Sequence, residues 1–205
     1  LFVSHNMASI RQLCTHCVWI DRGRAREIGT PEEVIGAYQS SCATNDQGVI
    51  EAAAFLNRSG SQEVRVRKIE LRNQLGERTG VYGIGDDLQI HLFIEPAGAP
   101  KKVKIIVSLA EDNGGSICTL FDTDSGFALQ TVSGFRHVSL TLVDLRFYPG
   151  TYRISIKLQS EIFHYQSDAY DILESCIAFA MVNTRAVSRE LRRCDGLLYL
   201  TPEWK

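Results

Sequence analysis

From residue 62 onward this chain keeps a period of two. Leu88, Ile90, Leu92 and Ile94 alternate with Gln89, His91 and Phe93. Val103, Ile105, Val107 and Leu109 alternate with Lys104, Ile106 and Ser108. Val138, Leu140 and Leu142 alternate with Ser139 and Thr141, and Tyr152, Ile154, Ile156 and Leu158 with Arg153, Ser155 and Lys157. Successive side chains of a strand point to opposite faces, so each run is a strand with one buried face. Turn chemistry separates the runs: Pro96-Ala97-Gly98, Asp112-Asn113-Gly114-Gly115 and Tyr148-Pro149-Gly150. Short strands, evenly spaced turns and no helical periodicity between them predict a mainly β domain, an antiparallel β-sandwich over residues 62–205. Residues 63–72 break phase, since Val64 and Val66 share one parity and Ile69 and Leu71 the other. That shift predicts a bulge or a strand crossing between sheets. A helical turn is expected over 170–174 with Asp168 as its cap, then a strand over 176–182.

The first forty residues have another rhythm. Leu1-Phe2-Val3-Ser4-His5-Asn6 reads as a buried strand delivering a histidine at its carboxyl end. A helix, a strand, a glycine turn at Gly23, a strand, a Gly29-Thr30-Pro31 cap and a second helix follow. With no initiator Met and no signal-peptide pattern, the start reads as the end of a longer chain. Residues 1–40 form one unit and residues 41–61 a polar linker. The linker's apolar patch at 49–56 is expected as one or two helical turns.

A net charge of −2 gives no general attraction to nucleic acid. No stretch approaches the roughly 18 consecutive apolar residues of a membrane-spanning helix. The six cysteines, at 14, 17, 42, 118, 176 and 194, are too sparse for a secreted disulfide framework, and reduced cytoplasmic thiols are expected. Cys14-Thr15-His16-Cys17 has a metal or redox spacing, but no second Cys/His pair stands at zinc-site distance, so a structural role is expected. After a charged connection, residues 197–204 regain strand character through Leu197, Leu198, Tyr199, Leu200 and Trp204. Such a late strand reaches an edge of its own sheet or pairs with a second copy.

Three pieces of the front segment come in one order: the apolar-Ser4-His5 end, Ile20-Asp21-Arg22-Gly23-Arg24, and Glu27-Ile28-Gly29-Thr30-Pro31-Glu32-Glu33-Val34. They resemble the last part of an ABC-transporter ATPase domain. The runs Pro149-Gly150-Thr151-Tyr152-Arg153-Ile154-Ser155-Ile156 and Ala178-Phe179-Ala180-Met181-Val182 are similar to the C-terminal domain of the ATP-binding subunit of polysaccharide (O-antigen) exporters, the Wzt type. The resemblance implies an immunoglobulin-like sandwich behind a truncated α/β ATPase remnant. It implies a polysaccharide ligand, a homodimer with an exchanged terminal strand at 197–204, and a transmembrane permease subunit as partner. The expected place is cytoplasmic, peripheral to the inner membrane. His5 falls on the family's switch histidine, which touches the ATP γ-phosphate. No phosphate-binding Gly-x-x-x-x-Gly-Lys-Ser/Thr loop, apolar run ending in Asp-Glu, or Leu-Ser-Gly-Gly-Gln-like signature occurs. ATP and Mg²⁺ therefore belong to the parent protein, and this chain is expected to need no cofactor and to hydrolyse nothing.

Sugar sites pair rings with amides, carboxylates and cations. The outward residues Gln89, His91 and Phe93, with Arg153, Ser155 and Lys157, make a shallow polar-aromatic platform if their strands share a face; otherwise they line ordinary solvated sheet. Tyr82, in a glycine-rich turn, is a further candidate. The alternative function is a structural dimerisation module without a sugar site. A glycosidase needs paired carboxylates about 5–10 Å apart; Glu111-Asp112 and Asp122/Asp124 qualify by type but sit in turn-like segments.

Overall fold

The computed structural model describes residues 1–3, 7–21, 23–41, 48–51, 55, 58–112, 114–127, 131–160, 169–183, 191 and 196–200. The front portion contains α1 (Met7–Leu13), β1 (Cys17–Asp21), β2 (Arg24–Gly29) and α2 (Pro31–Ser41). Gly23, at φ +75°, turns β1 into its antiparallel partner β2. The Thr30 hydroxyl and the Glu33 carboxylate cap the start of α2 reciprocally. Glu33 Oε2 accepts from the Thr30 N–H at 2.9 Å, and Thr30 Oγ1 accepts from the Glu33 N–H at 3.4 Å. Pro31 fills the first helical position, where a missing N–H costs nothing. Val34 and Ile35 are buried, and the Trp19 ring meets Tyr38 edge-on at 5.6 Å. Residues 1–3 are exposed and form no strand, contrary to expectation. A buried parallel strand exists only between neighbours, and among the described residues of this portion the one sheet is the β1–β2 pair.

Two sheets make the sandwich. The first runs β10 (Arg136–Leu142), β7 (Leu88–Pro96), β5 (Val64–Arg72), β3 (Val49–Glu51). The second runs β4 (Arg58–Ser59), β12 (Ala169–Val182), β11 (Gly150–Gln159), β8 (Lys104–Glu111), β9 (Ser116–Phe121), with β6 (Val81–Gly83) parallel to the end of β12. Their inner faces carry the alternating residues read from the sequence: Leu88, Ile90, Leu92 and Ile94 against Tyr152, Ile154, Ile156 and Leu158, all 2 % exposed or less. Apolar burial on this scale drives the two layers together. Tyr152 donates its hydroxyl to the Tyr148 carbonyl at 2.6 Å, four residues upstream, in the manner of the tyrosine corner of immunoglobulin-like sandwiches.

The phase break in β5 is a bulge. Val66 faces Ile94 and Lys68 faces Phe93, so Arg67 is the extra residue. Two expectations fail. The patch at 49–56 supplies strand β3, with Ile50 opposite Ile69, and Arg58–Ser59 pairs with β12; both short strands fall inside the stretch read as a linker. Residues 170–174 are strand, not a helical turn. Their alternation is masked because Glu174, Ser175 and Cys176 together stand opposite Ser155, and because Asp171, a carboxylate, occupies an inward position. Asp168 lies outside the described residues.

Candidate functional site

The outer face of the first sheet carries a ladder of rings. Phe135 stacks on Phe93 with centroids 5.9 Å apart, Phe93 on His137 at 4.7 Å, and His137 on His91 at 5.0 Å. Register explains the ladder: β10 lies antiparallel to β7 with His137 opposite Phe93 and Ser139 opposite His91. His91 Nδ1 and His137 Nε2 are 2.7 Å apart, within hydrogen-bond distance, and His91 Nε2 lies 3.2 Å from Gln89 Oε1. Burial, with the charges of Arg72 and His137, lowers the His91 pKa against an opposing pull from Glu70.

Alongside, β5 presents Lys68, Glu70 and Arg72. Glu70 is buried, yet its pKa falls to about 2, because the hydrogen bonds and charges of Lys68 and Arg72 outweigh desolvation. Both cations reach it at 2.6 Å. The Lys68 ammonium also stands 5.4 Å from the centre of the Phe93 ring. Within the ladder the rings cover one another's faces. Phe135 ends it and is 63 % exposed. Phe135 and His137 were absent from the sequence expectation, although they share the parity of Ser139 and Thr141 and continue that face one turn of the pleat further.

Arg153, Ser155 and Lys157 do not join Gln89, His91 and Phe93. Strand β11 belongs to the second sheet, so its outward residues point to the opposite side of the sandwich. There they line a groove of about 320 Å³ between α2 and the sheet, with Tyr38 as an aromatic wall. Arg153 is buried, and its Nε donates to Asp112 Oδ1 at 2.7 Å. A row of small hydroxyls crosses the floor. Ser108 stands opposite Ser155 and 3.1 Å from Thr119 Oγ1, and Ser155 Oγ accepts the Ser175 N–H at 2.9 Å.

Tyr82 is not a surface residue. The parallel pairing of β6 with β12 turns it inward, 1 % exposed, edge-on to Phe179, with its hydroxyl donated to the Thr79 carbonyl at 3.1 Å. Leu197 to Leu200 lie beside residues 146–148 of their own chain. The Tyr148 N–H donates to the Leu197 carbonyl at 3.0 Å and the Tyr199 N–H to the Arg146 carbonyl at 2.6 Å. Trp204 and His5 lie outside the described residues. The carboxylates considered for hydrolysis have structural work. Asp112 holds Arg153, Asp122 accepts the Ile105 N–H, and Asp124 caps a 3-10 turn through the Phe121 N–H. Among the described residues no group of three or more His, Cys, Asp or Glu is placed to hold a metal. Cys14 and Cys17 are free thiols, and burial and the neighbouring Cys14 push Cys17 upward, away from reactivity. No helix of the described residues is long and apolar enough to cross a membrane.

The two layers and the tyrosine corner define an immunoglobulin-like β-sandwich, which follows a short α/β segment. No protein-family model matches the chain. Its fold is that of the C-terminal domain of Wzt, whose crystal structure superposes with a TM-score of 0.61 over 73 % of this chain and 87 % of that one, at 10 % identity. Over 43 residues the chain is 46 % identical to the O-antigen export system ATP-binding protein RfbB of Klebsiella pneumoniae. A match of the same length to the teichoic acids export ATP-binding protein TagH of Staphylococcus epidermidis has 42 % identity. These matches cover 21 % of this chain and only 18 % and 16 % of the relatives' own lengths. Sandwich fold and exporter-like segment together bear out the resemblance drawn from the sequence.

Proposed function

We propose that this chain is the glycan-recognition part of the ATP-binding subunit of a polysaccharide ABC exporter. In this reading the sandwich binds the finished polysaccharide on the outer face of the first sheet and hands it to the permease subunit at the cytoplasmic side of the inner membrane. The observation that carries it is Phe135, whose exposed ring ends a ladder bordered by imidazoles, an amide and a Lys–Glu–Arg row. A pyranose places its C–H face on such a ring and its hydroxyls against the polar groups beside it. The exporter context rests on the fold and on the short match to export ATPases. The exposed Leu13, Val18, Ile20 and Ile28 of the front portion suit a segment that packs against more of an ATPase domain. The nucleotide chemistry belongs to that domain, and this part is not catalytic.

Calorimetric titration with the polysaccharide made by the source cell tests the reading. Phe135→Ala and Phe93→Ala should each weaken binding several-fold, toward tenfold, while the far-ultraviolet spectrum stays unchanged; a ring contact is worth about 0.5–1.5 kcal/mol beyond its area. Unaltered affinity in both variants would sink it.

A second reading, a dimerisation module without a sugar site, is favoured by Leu198 and Leu200, 50 % and 76 % exposed on the terminal segment. Sedimentation of the whole chain and of Leu198→Glu/Leu200→Glu separates the two. A dimer that binds no glycan and is lost in the variant favours the second reading, and glycan affinity kept by the monomeric variant favours the first.

A further inference from the structure

We propose that the groove on the second sheet is a separate binding site for an uncharged pyranose, and that its occupant ties α2 to the sandwich. The proposal does not depend on the ring ladder, which faces the opposite way. The floor of the groove is unusual for a solvated sheet. Long charged side chains normally cover such a face, but here Ser108, Ser155 and Ser175 lie side by side on three neighbouring strands with Ala110 next to them. Small side chains between bulkier flanks make the depression, and each hydroxyl can both donate and accept. Ser155 Oγ accepts the Ser175 N–H, and that bond leaves its own proton to donate.

Ser175 is held at φ +47°, in the left-handed region that non-glycine residues seldom occupy. It gets there through the three-to-one bulge opposite Ser155. Backbone strain of this kind, kept where a regular strand would relieve it, is a mark of functional surfaces. The aromatic wall is preset too, since Trp19 fixes the Tyr38 ring edge-on at 5.6 Å. At about 320 Å³ the groove stands at the small end of small-molecule sites, which run from about 300 to 1,000 Å³.

Charge selects the ligand class. Arg153 and Lys157 face the groove together with Glu111, Asp112 and Glu174, so neither sign dominates. A phosphate or uronate would meet three carboxylates, and an amine would meet two cations. A neutral polyol with one apolar face meets hydroxyls on the floor, charged hydrogen-bonding groups on the walls and the Tyr38 ring. Because Tyr38 belongs to α2 and the serines to the sandwich, the occupant touches both parts. Its binding energy therefore stabilises their contact.

Amide-resolved NMR of the 205-residue chain tests this, with methyl glycosides of neutral hexoses as probes and inorganic phosphate and a methyl glucuronide as anionic controls. Neutral probes should shift Ser108, Ser155, Ser175 and α2 amides, with a Kd of about 1–10 mM, the range expected of a single sugar ring. Tyr38→Ala and the milder Ser108→Ala should each weaken that binding at least threefold, and hydrogen exchange in α2 should slow when the probe is bound. Shifts confined to the Phe93–Phe135 face would overturn the groove and leave the ladder standing. Groove shifts that appear only with the anionic controls would overturn the ligand class. Groove shifts with unchanged exchange in α2 would overturn the tie.

Discussion

Asp171 accepts two hydrogen bonds from the Arg58 guanidinium, 2.8 Å from Nε and 2.6 Å from Nη2. The same carboxylate takes the Val66 N–H at 2.8 Å and the Gln62 amide at 3.1 Å, and Arg58 donates to the Val66 carbonyl at 2.9 Å. Asp171 is fully buried in the second sheet, while Val66 sits in the first, so one carboxylate joins both layers beside the β5 bulge. Removing one partner strands the other. Asp171→Ala and Arg58→Ala should each cost about 3–5 kcal/mol of unfolding free energy in urea titration. The double variant should cost clearly less than the sum. Additive losses would mean that the pair does not act as a unit.

Acid should weaken this fold in two separate steps. Burial, Arg72 and His137 hold His91 below its ordinary pKa, and Glu70 pulls the other way. The folded state therefore binds the proton less readily than the unfolded one. Its contribution is complete above about pH 6.5 and declines as the pH falls below that value. Glu70 sits at about 2 because Lys68 and Arg72 outweigh its burial, so its contribution persists until the pH drops below about 4.5. Urea midpoints between pH 8 and 3 should show both declines. His91→Gln should remove the first and leave the second, and an unchanged upper decline in that variant would refute the assignment.

Strand faces were legible because alternation survives wherever pairing is regular. The inward set of β7 and that of β11 could be named from parity alone. Parity assigns a residue to one side of its strand and says nothing of which layer the strand joins. For that reason Arg153, Ser155 and Lys157 face away from Gln89, His91 and Phe93. Strands β3 and β6 have three residues each, too few to display a period, so Ile50 was read into a helical turn and the buried Tyr82 into a surface turn. In β12 the residues opposite Ser155 reset the phase, and the inward Asp171 imitates a turn residue. The β5 shift was readable because apolar residues of opposite parity flank Arg67 on both sides.

The corner before β11 depends on one hydroxyl. Burial raises the Tyr152 pKa to about 12, so the phenol keeps its proton and donates it to the Tyr148 carbonyl. Tyr152→Phe keeps the ring stacked on Phe147 and Phe179 but leaves that buried carbonyl without the bond. The expected loss is about 1–3 kcal/mol, read as a lower urea midpoint at unchanged slope. A loss below a few tenths of a kcal/mol would show that the corner is held by packing alone.

Two glycines separate backbone strain from steric clash. Gly48 has φ +63°, its carbonyl accepts the Leu71 N–H at 2.6 Å, and an added Cβ would stand 2.3 Å from the Thr79 carbonyl oxygen and 2.9 Å from that of Leu71. Backbone oxygens of paired strands cannot yield by that much without moving β3 off the sheet. Gly76, at φ +78°, has nothing within 4 Å of the same position. Gly76→Ala should therefore cost only the left-handed penalty of about 1–2 kcal/mol. Gly48→Ala adds a clash that detaches the edge strand and partly exposes Ile50, worth about 2 kcal/mol more from the lost burial of an isoleucine. Urea unfolding of the two variants side by side measures the difference, and amide exchange at Glu51 and Lys68 shows whether β3 has left its place. Equal destabilisation would mean that the Gly48 turn relaxes freely and that β3 is held by Ile50 rather than by the close backbone approach.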